Sequence, residues 1–452
     1  MKLNLFYKLL GFHIVLAIGV YLFRPLALLY FLFTTAFFSY KILKASAKYK
    51  SFYVLIACAY VVGVEVFLRM NGGTVFYEAS KYLVIVFSVM GILSNGFSRQ
   101  SLIYVVYIFL LIPGIFVAVS EMGFETNIRK AIAFNLSGPV SLGVAAIFCY
   151  RRTVTMEQMK IILWAFLLPL ISTTTYLFLY TPDLKEVITS TGSNFAASGG
   201  FGPNQVASVL GIGIFVLAVR FFLSKEGLAH KGFDLFLLGL MSFRALATFS
   251  RGGVITGVVM ILSFLGLYYL KGNLKTKFRI KFLSLIFSGA IIFIWLVSSI
   301  QTSGFLDKRY ANQDAAGREK EDVTTGRADL LTQEFSEFMD HPFLGVGVGK
   351  IKEIRLNETG VEAASHNEMS RIVAEHGLFG LIAFAILLFT PLLYRIRNRQ
   401  NLFFFSFYFF WFLTINHSAM RIAAPGFIYA LSLLNITYKS KNPKNSELKP
   451  VS

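Results

Sequence analysis

Two short runs in this chain combine residue types that could do chemistry. The first is Ser250-Arg251-Gly252-Gly253, with Arg244 seven residues upstream. Read as one continuous helix, a spacing of seven is two turns, roughly 10 Å along the axis, so both guanidinium groups share one stripe. A cation in an apolar segment needs a partner, either a carboxylate or an anionic ligand. Arg suits a phosphate because its planar fork donates two hydrogen bonds at once. Gly252 and Gly253 leave backbone amides approachable where the next helix starts, which also favours an anion. The plainer reading of Arg251 is a side chain that snorkels to a membrane surface. The second run is Ser365-His366-Asn367-Glu368. Ser365 with Glu368 reads as a capping box, which would place His366 in the first turn of a helix. The partial positive charge there disfavours imidazolium, and a neutral imidazole can accept a proton as a general base. The plainer reading is a histidine that only hydrogen-bonds near a cap.

Other features are weaker by themselves. Gly199-Gly200-Phe201-Gly202-Pro203-Asn204-Gln205 starts an apolar run with Pro203 in the first helical turn and the amides of Asn204 and Gln205 facing outward. Thr324 or Thr325 would cap a helix beginning near Gly326-Arg327. In that helix Leu330, Leu331, Phe335, Phe338 and Met339 share one face, with Asp329, Gln333, Glu334 and Glu337 on the other. It would lie along a membrane surface or roof a cavity. His341-Pro342 ends it, and the alternating glycines Gly345, Gly347 and Gly349 follow in a flexible or closely packed loop. His376 and His417 read as structural, and Arg421 is a further cation that could join the cluster. No His, Asp or Glu set has metal-ligand spacing. Cys58 and Cys149 both lie inside apolar runs, which excludes a disulfide framework or a Cys-rich metal site.

The elements that must position these residues are membrane helices. The chain has 452 residues, 56% hydrophobic and only 15% charged, so it is not a soluble globular protein. Apolar runs of the ~20 residues needed to cross a bilayer recur throughout. Segmentation gives 14 candidate spans, near 5–23, 26–40, 51–68, 80–95, 101–119, 131–150, 160–180, 204–223, 233–250, 253–270, 282–300, 377–394, 402–418 and 423–438. The expected fold is an all-α integral membrane protein, a polytopic helical bundle of about 12–14 spans with one large extracytoplasmic loop containing short helices. The expected divisions are a membrane bundle over 1–300, a catalytic loop over 301–376, C-terminal spans over 377–438 and a cytoplasmic, disordered tail over 439–452. The N-terminus lacks a convincing cleavage site and reads as a retained first span.

Charge placement supports that plan. Net charge is +19, which by itself suggests nucleic acid, yet the basic residues cluster in alternate connections. Those connections and both termini hold 25 Lys and Arg, with only Glu157, Glu226, Asp234 and Glu447 as acids. The alternate short connections hold eight basic and six acidic residues. This asymmetry puts both termini in the cytoplasm and the long hydrophilic stretch between Gln301 and Glu375 outside. That stretch carries 9 Lys and Arg against 14 Asp and Glu, a net charge of 9 − 14 = −5.

Taken in order along the chain, these motifs resemble the O-antigen ligase/polymerase superfamily of bacterial membrane glycosyltransferases. The resemblance covers most of the chain. It rests on Gly-Phe-Gly-Pro-Asn-Gln at 200–205, Ser-Arg-Gly-Gly at 250–253, Thr-Gly-Arg at 325–327, His-Pro-Phe-Leu-Gly-Val-Gly at 341–347, Ser-His-Asn at 365–367 and Glu-His-Gly-Leu-Phe-Gly at 375–380. It implies transfer of a glycan from undecaprenyl diphosphate to an acceptor hydroxyl at the periplasmic face of the bacterial inner membrane, without metal, nucleotide or cofactor. By position, Arg251 and Arg327 would hold the donor diphosphate, and His366 would activate the acceptor. Asn204, Asn367, Arg421 and Arg244 are the further candidates for substrate contact, Arg244 on the charge argument alone. The expected partners are a polyprenyl-diphosphate-linked glycan, a glycolipid or glycan acceptor and membrane lipid, with no nucleic acid. Two related readings are a polysaccharide polymerase and a protein-glycosylating transferase. From a different class comes a flippase for lipid-linked glycans, which would more naturally show internal repeats and polar residues at mid-membrane.

Overall fold

The computed structural model describes residues 3–123, 126–224, 226–320, 326–360 and 365–438. Thr324 and Thr325, expected to cap the loop helix, and the tail from Lys439 on lie outside the described residues. The chain is all-α and polytopic. It begins with α1 (Leu3–Leu22), α2 (Leu26–Lys44), α3 (Ala47–Met70), α4 (Ala79–Asn95), α5 (Leu102–Leu110), α6 (Pro113–Glu121), α7 (Ile128–Cys149) and α8 (Met156–Tyr180). Next come α9 (Pro203–Leu223), α10 (Leu228–Ala247), α11 (Arg251–Lys271) and α12 (Leu274–Gln301). The hydrophilic stretch forms α13 (Phe305–Tyr310), α14 (Arg327–Asp340) and α15 (Lys350–Thr359), and α16 (Glu368–Arg397), α17 (Phe404–Ile415) and α18 (Ala424–Ser432) complete the bundle. Strands β1 (Thr153–Thr155) and β2 (Asn435–Thr437) pair in parallel, with Val154 opposite Ile436.

Among the described residues, 10 helical segments are long and apolar enough to cross a membrane, the broken run Arg99–Glu121 counting as one. The apolar helices Ala79–Asn95 and Phe404–Ile415 are shorter. Helix α10 is long enough, but carries Lys231, Asp234 and Arg244. Within the bundle Asp234 pairs with Arg220 at 3.1 Å, so that charge is compensated. The two expected spans at 402–418 and 423–438 are helical only as α17 and α18, about 18 and 14 Å long. Both are buried. Their ends are satisfied by protein: Asn398 Nδ2 donates to the Leu434 carbonyl at 3.0 Å, and Asn401 Nδ2 to that of Ser432 at 3.3 Å. The backbone between them, 416–423, is therefore irregular, as is tolerated at membrane depth only inside protein or beside a cavity.

Helix α3 packs on α8, and α9 packs between α10 and α11, while α17 lies against α11 and α18. The α9–α11 contact is a small-residue crossing: a Cβ on Gly253 would sit 2.4 Å from the Ala207 carbonyl carbon, and one on Gly211 2.8 Å from the Gly253 oxygen. The exposed apolar residues of α12, among them Phe282, Leu285, Ile292 and Phe293, belong on the lipid-facing side.

The glycine-rich segment after α14 is closely packed. Gly345, Gly347 and Gly349 all have positive φ, and this backbone docks across a kink in α16 at Gly377 (φ 59°, ψ −136°). Val346 and Gly347 amides bond the carbonyls of Ala374 and Glu375 at 3.0 and 3.1 Å, and the Leu378 amide bonds that of Pro342 at 2.7 Å. A Cβ on Gly345 or Gly377 would lie within 2.6 Å of opposing backbone, so both positions require glycine twice over. This strap fixes the first turns of α16, and with them the segment that bears His366.

Candidate active site

At the end of the bundle remote from the β1–β2 pair, one cavity of about 790 Å³ is lined by the start of α9, the α10–α11 turn, Arg309, Lys320, the first turns of α14, and His366, Asn367 and Asn416. Arg251, Arg327 and His366 all line it, as do Asn204 and Asn367. So do Arg309, Lys320 and Asn416, which sequence reasoning missed.

The α10–α11 turn explains where Arg251 points. Helix α10 stops at Ala247 and α11 starts at Arg251, with Phe249 in the left-handed region (φ 58°) between them. That conformation is costly for a bulky residue and is held by its surroundings: Arg309 Nε donates to the Phe249 carbonyl at 3.2 Å, and the Asn194 amide to that of Thr248 at 3.0 Å. Arg251 Nη1 in turn donates to the Asn312 side-chain oxygen, and to the Arg309 carbonyl at 3.4 Å. The expectation that Arg244 and Arg251 share a stripe is corrected, because the seven-residue spacing spans two helices rather than one. Arg244 is wholly buried away from the cavity lining. Its guanidinium carbon lies 4.1 Å from the Phe178 ring centre, and Nη2 donates to the Thr181 carbonyl at 2.8 Å. The glycines also serve differently than expected. A Cβ on Gly252 would strike the His417 ring at 2.6 Å, while Gly253 admits α9.

The His366 segment likewise departs from the expected capping box. Helix α16 begins at Glu368, and its cap is Asn367, whose Oδ1 accepts from the amides of Met369 and Ser370 at 2.9 and 3.3 Å. Ser365 Oγ donates instead to Glu334, and Glu368 is engaged by Arg371 and by the Met420 amide. Asn outcompetes Ser here because it already sits at the residue where helical geometry starts. His366 therefore precedes the cap, half-buried at the cavity wall, with its carbonyl accepting from the Ala419 amide at 3.1 Å.

Both asparagines of the expected substrate set are engaged by the scaffold. Asn204 accepts from Ser250 Oγ at 2.8 Å and donates to the His417 carbonyl at 3.2 Å. Asn367 Nδ2 donates to Asn416 at 3.1 Å. Arg421 lies beside the cavity rather than in its lining, its Nη2 on the Ser365 carbonyl at 2.9 Å. His417 is held by the Leu413 carbonyl at 2.8 Å and by Ser208 Oγ at 3.2 Å.

Electrostatically the cavity is positive although the surrounding loop is net acidic. Four of the acids are held in ion pairs, Glu334 with Arg355 at 2.8 Å, Glu353 with Lys350 at 2.6 Å, and Glu368 and Glu375 with Arg371. Among the described lining residues Glu334 is the one carboxylate, and it is compensated by Arg355. Burial and then the neighbouring Arg251 and Arg327 hold the Arg309 guanidinium below its ordinary value. Burial and Arg251 do the same to Arg327, and burial with Arg309 and Arg251 lowers Lys320. Mutual repulsion of this kind is relieved by an anion. Among the described residues no group of three or more His, Cys, Asp or Glu could hold a metal ion.

Helix α14 borders this cavity with both polar and apolar residues, Arg327, Thr332 and Glu334 beside Leu330 and Leu331. Glu334 is buried against Ser365, Ser370 and Arg355, while Leu331, Phe335 and Met339 face outward. Leu330 and Leu331 reach the cavity edge.

Residues 236–385, from α10 into α16, match the family described as O-Antigen ligase. The match covers 150 of the 452 residues. The matched span contains Arg251, Arg309, Lys320, Arg327 and His366, whereas Asn204, Asn416 and Arg421 lie outside it. A comparison with curated proteins finds no match to the chain.

Proposed function

We propose that this protein is a membrane glycosyltransferase of the ligase type, moving a glycan from a polyprenyl diphosphate to an acceptor hydroxyl at the extracytoplasmic face. The observation that carries the reading is the convergence of Arg251, Arg309, Lys320 and Arg327 with His366 on one hollow. Four cations suit a diphosphate, and Arg forks bind its oxygens two at a time. His366 takes the proton of the acceptor hydroxyl as that oxygen attacks the anomeric carbon. The bond from that carbon to the diphosphate breaks, the sugar inverts, and the cations stabilise the charge that develops on the leaving diphosphate. The leaving group is already good, so positioning and charge stabilisation suffice without a metal or nucleotide. The Lys- and Arg-rich connections support an orientation with both termini in the cytoplasm of the bacterial inner membrane and the cavity on the other side. The outward stripe of Leu331, Phe335 and Met339 on α14 then lies at the bilayer surface, where the prenyl chain of the donor passes.

Donor binding to purified protein tests this. Losing one charge-assisted contact costs about 1.5–3 kcal/mol, so Arg251→Ala should weaken polyprenyl-diphosphate-glycan affinity by ~10- to 100-fold. Arg251→Lys should restore little of it, because the fork is gone. Unchanged affinity in Arg251→Ala would remove the cavity as the donor site.

A further inference from the structure

Behind the cationic cavity, buried charge on α3 meets the irregular backbone at 416–423. Glu65 and Arg69 stand one turn apart on α3 with both side chains buried, Arg69 Nη2 lying 2.6 Å from Glu65 Oε1. Taken alone such a pair is a poor source of stability, because the cost of desolvating two charges offsets their attraction. Its use lies in what the two side chains touch. Glu65 Oε2 accepts from the Ala423 amide at 2.7 Å, and Arg69 Nη1 donates to the Arg421 carbonyl at 2.9 Å. One turn of α3 therefore offers an acceptor to an amide and a donor to a carbonyl of the same short segment. Backbone without helical bonds at membrane depth requires such partners. Glu78, 3.8 Å from Arg69, has its own cation in Lys81 at 2.5 Å, so the cluster is balanced without a ligand.

The other side of that segment holds His366. Arg421, whose carbonyl is bound by Arg69, donates from Nη2 to the Ser365 carbonyl at 2.9 Å. The Ala419 amide donates to the His366 carbonyl at 3.1 Å, and the Met420 amide to Glu368 Oε2 at 3.2 Å. The Ser365 carbonyl belongs to the peptide plane before the His366 Cα, and the His366 carbonyl to the plane after it. Residues 419–421 thus grip both rigid planes that set the direction of the imidazole. Ala419 itself has positive φ (50°), a conformation that persists only where its surroundings impose it. Helix α7 closes the third side, since a Cβ on Gly138 would lie 2.6 Å from the Met420 oxygen.

We infer that Glu65 and Arg69 are positioning residues for His366. Neither lines the cavity. They act by fixing residues 421–423, and through them the two peptide planes that aim the ring. The inference rests on the reading of His366 as the base, and it adds two residues far outside the matched span of 236–385.

The test is steady-state transfer from undecaprenyl-diphosphate-linked glycan by full-length purified protein, with an extract of the source membrane supplying the acceptor. Rates are expressed per donor-binding protein. Glu65→Leu combined with Arg69→Met replaces the pair by apolar side chains, an exchange that buried ion pairs often tolerate. Glu78 keeps Lys81 in that variant. Misplacing a reacting group by about 1 Å costs up to ~100-fold, so kcat should fall ~10- to 100-fold. Donor KM should stay within about 2-fold, because the lost contact serves the chemical step alone. Built on His366→Ala, the same two substitutions should leave the residual rate within about 2-fold, since no ring is left to aim. A general loss of structure would lower both backgrounds alike. Arg69→Lys keeps the charge beside Glu65 and Glu78 but loses the planar fork that reaches Glu65 and the Arg421 carbonyl together. It is read by the same criteria and decides the matter should the apolar variant not fold. Wild-type kcat in the deciding variant, a change confined to donor KM, or an equal fall on the His366→Ala background would overturn the inference. His366→Ala by itself separates the two ideas. If it transfers at the wild-type rate, the reading of the base fails; if it is slow while the anchor variants are normal, only the positioning inference fails.

Discussion

The residues brought together by the fold set the chemistry that can be tested. Arg309 and Lys320 should behave as donor ligands alongside Arg251 and Arg327, so Arg309→Ala should weaken donor binding by ~10- to 100-fold in the same titration that reports Arg251. Arg244→Ala should instead lower the unfolding temperature in detergent without changing donor affinity, since its guanidinium holds the Thr181 carbonyl and a phenylalanine face. Alkaline titration carries a sign. Lys320 is held below the ordinary lysine value of ~10.4 by burial and then by Arg309 and Arg251. In that window the unfolded chain binds more protons than the folded one, so its contribution to stability rises with pH. Donor affinity should move the opposite way, falling as Lys320 loses its charge, and Lys320→Arg should shift that fall to higher pH. Parallel movement of stability and affinity would contradict the assignment. Arg251 and His366 were legible as unusual residues in their local sequence. Arg309 and Lys320 were not, because averaging the loop to a net negative charge conceals two cations that the fold turns into the cavity.

Elements rather than residues account for most differences between the sequence pattern and the structure. Periodicity found α14 but not its faces: Glu334 is buried against Arg355, Ser365 and Ser370 with Leu330 and Phe338 half-buried, while Leu331, Phe335 and Met339 are exposed together with Asp329. The sequence pattern put the break between α10 and α11 at 250–253; it lies a few residues earlier, between Ala247 and Arg251, where Phe249 with positive φ and the bond to its carbonyl hold the turn, and this moves Arg251 onto the second helix. The glycine strap was legible as special, its partner was not. Gly377→Ala should cost about 1–2 kcal/mol for the left-handed backbone alone and more for the collision with Phe343. It should lower both thermal stability and turnover, because the strap positions the start of α16. A fully active, equally stable Gly377→Ala variant would show that the kink does not position His366.

Across the whole molecule, the helical bundle was readable from apolar run length, while the orientation of its two ends rests on Lys/Arg placement. The lengths of α17 and α18 were not readable, because buried apolar residues outside the helices, Leu402 and Phe403 before α17 and Leu433 and Leu434 after α18, extend the hydropathic runs. Sidedness can be measured directly. Cys58 and Cys149 are both buried, so a single introduced cysteine reports with little background. In intact cells an impermeant maleimide should label Ser336→Cys on α14, and should label Gln400→Cys, between α16 and α17, only after permeabilisation. The reverse pattern would place the cavity in the cytoplasm.

The most direct measurement is formation of a new glycosidic bond by purified His366→Ala beside wild type, from undecaprenyl-diphosphate-linked glycan, with EDTA present and no nucleotide. Wild type should transfer, and His366→Ala should bind donor normally yet turn over ~100- to 10,000-fold more slowly, the range expected for removal of a general base. Turnover by His366→Ala at the wild-type rate, or a wild-type reaction that stops in EDTA, would contradict the account.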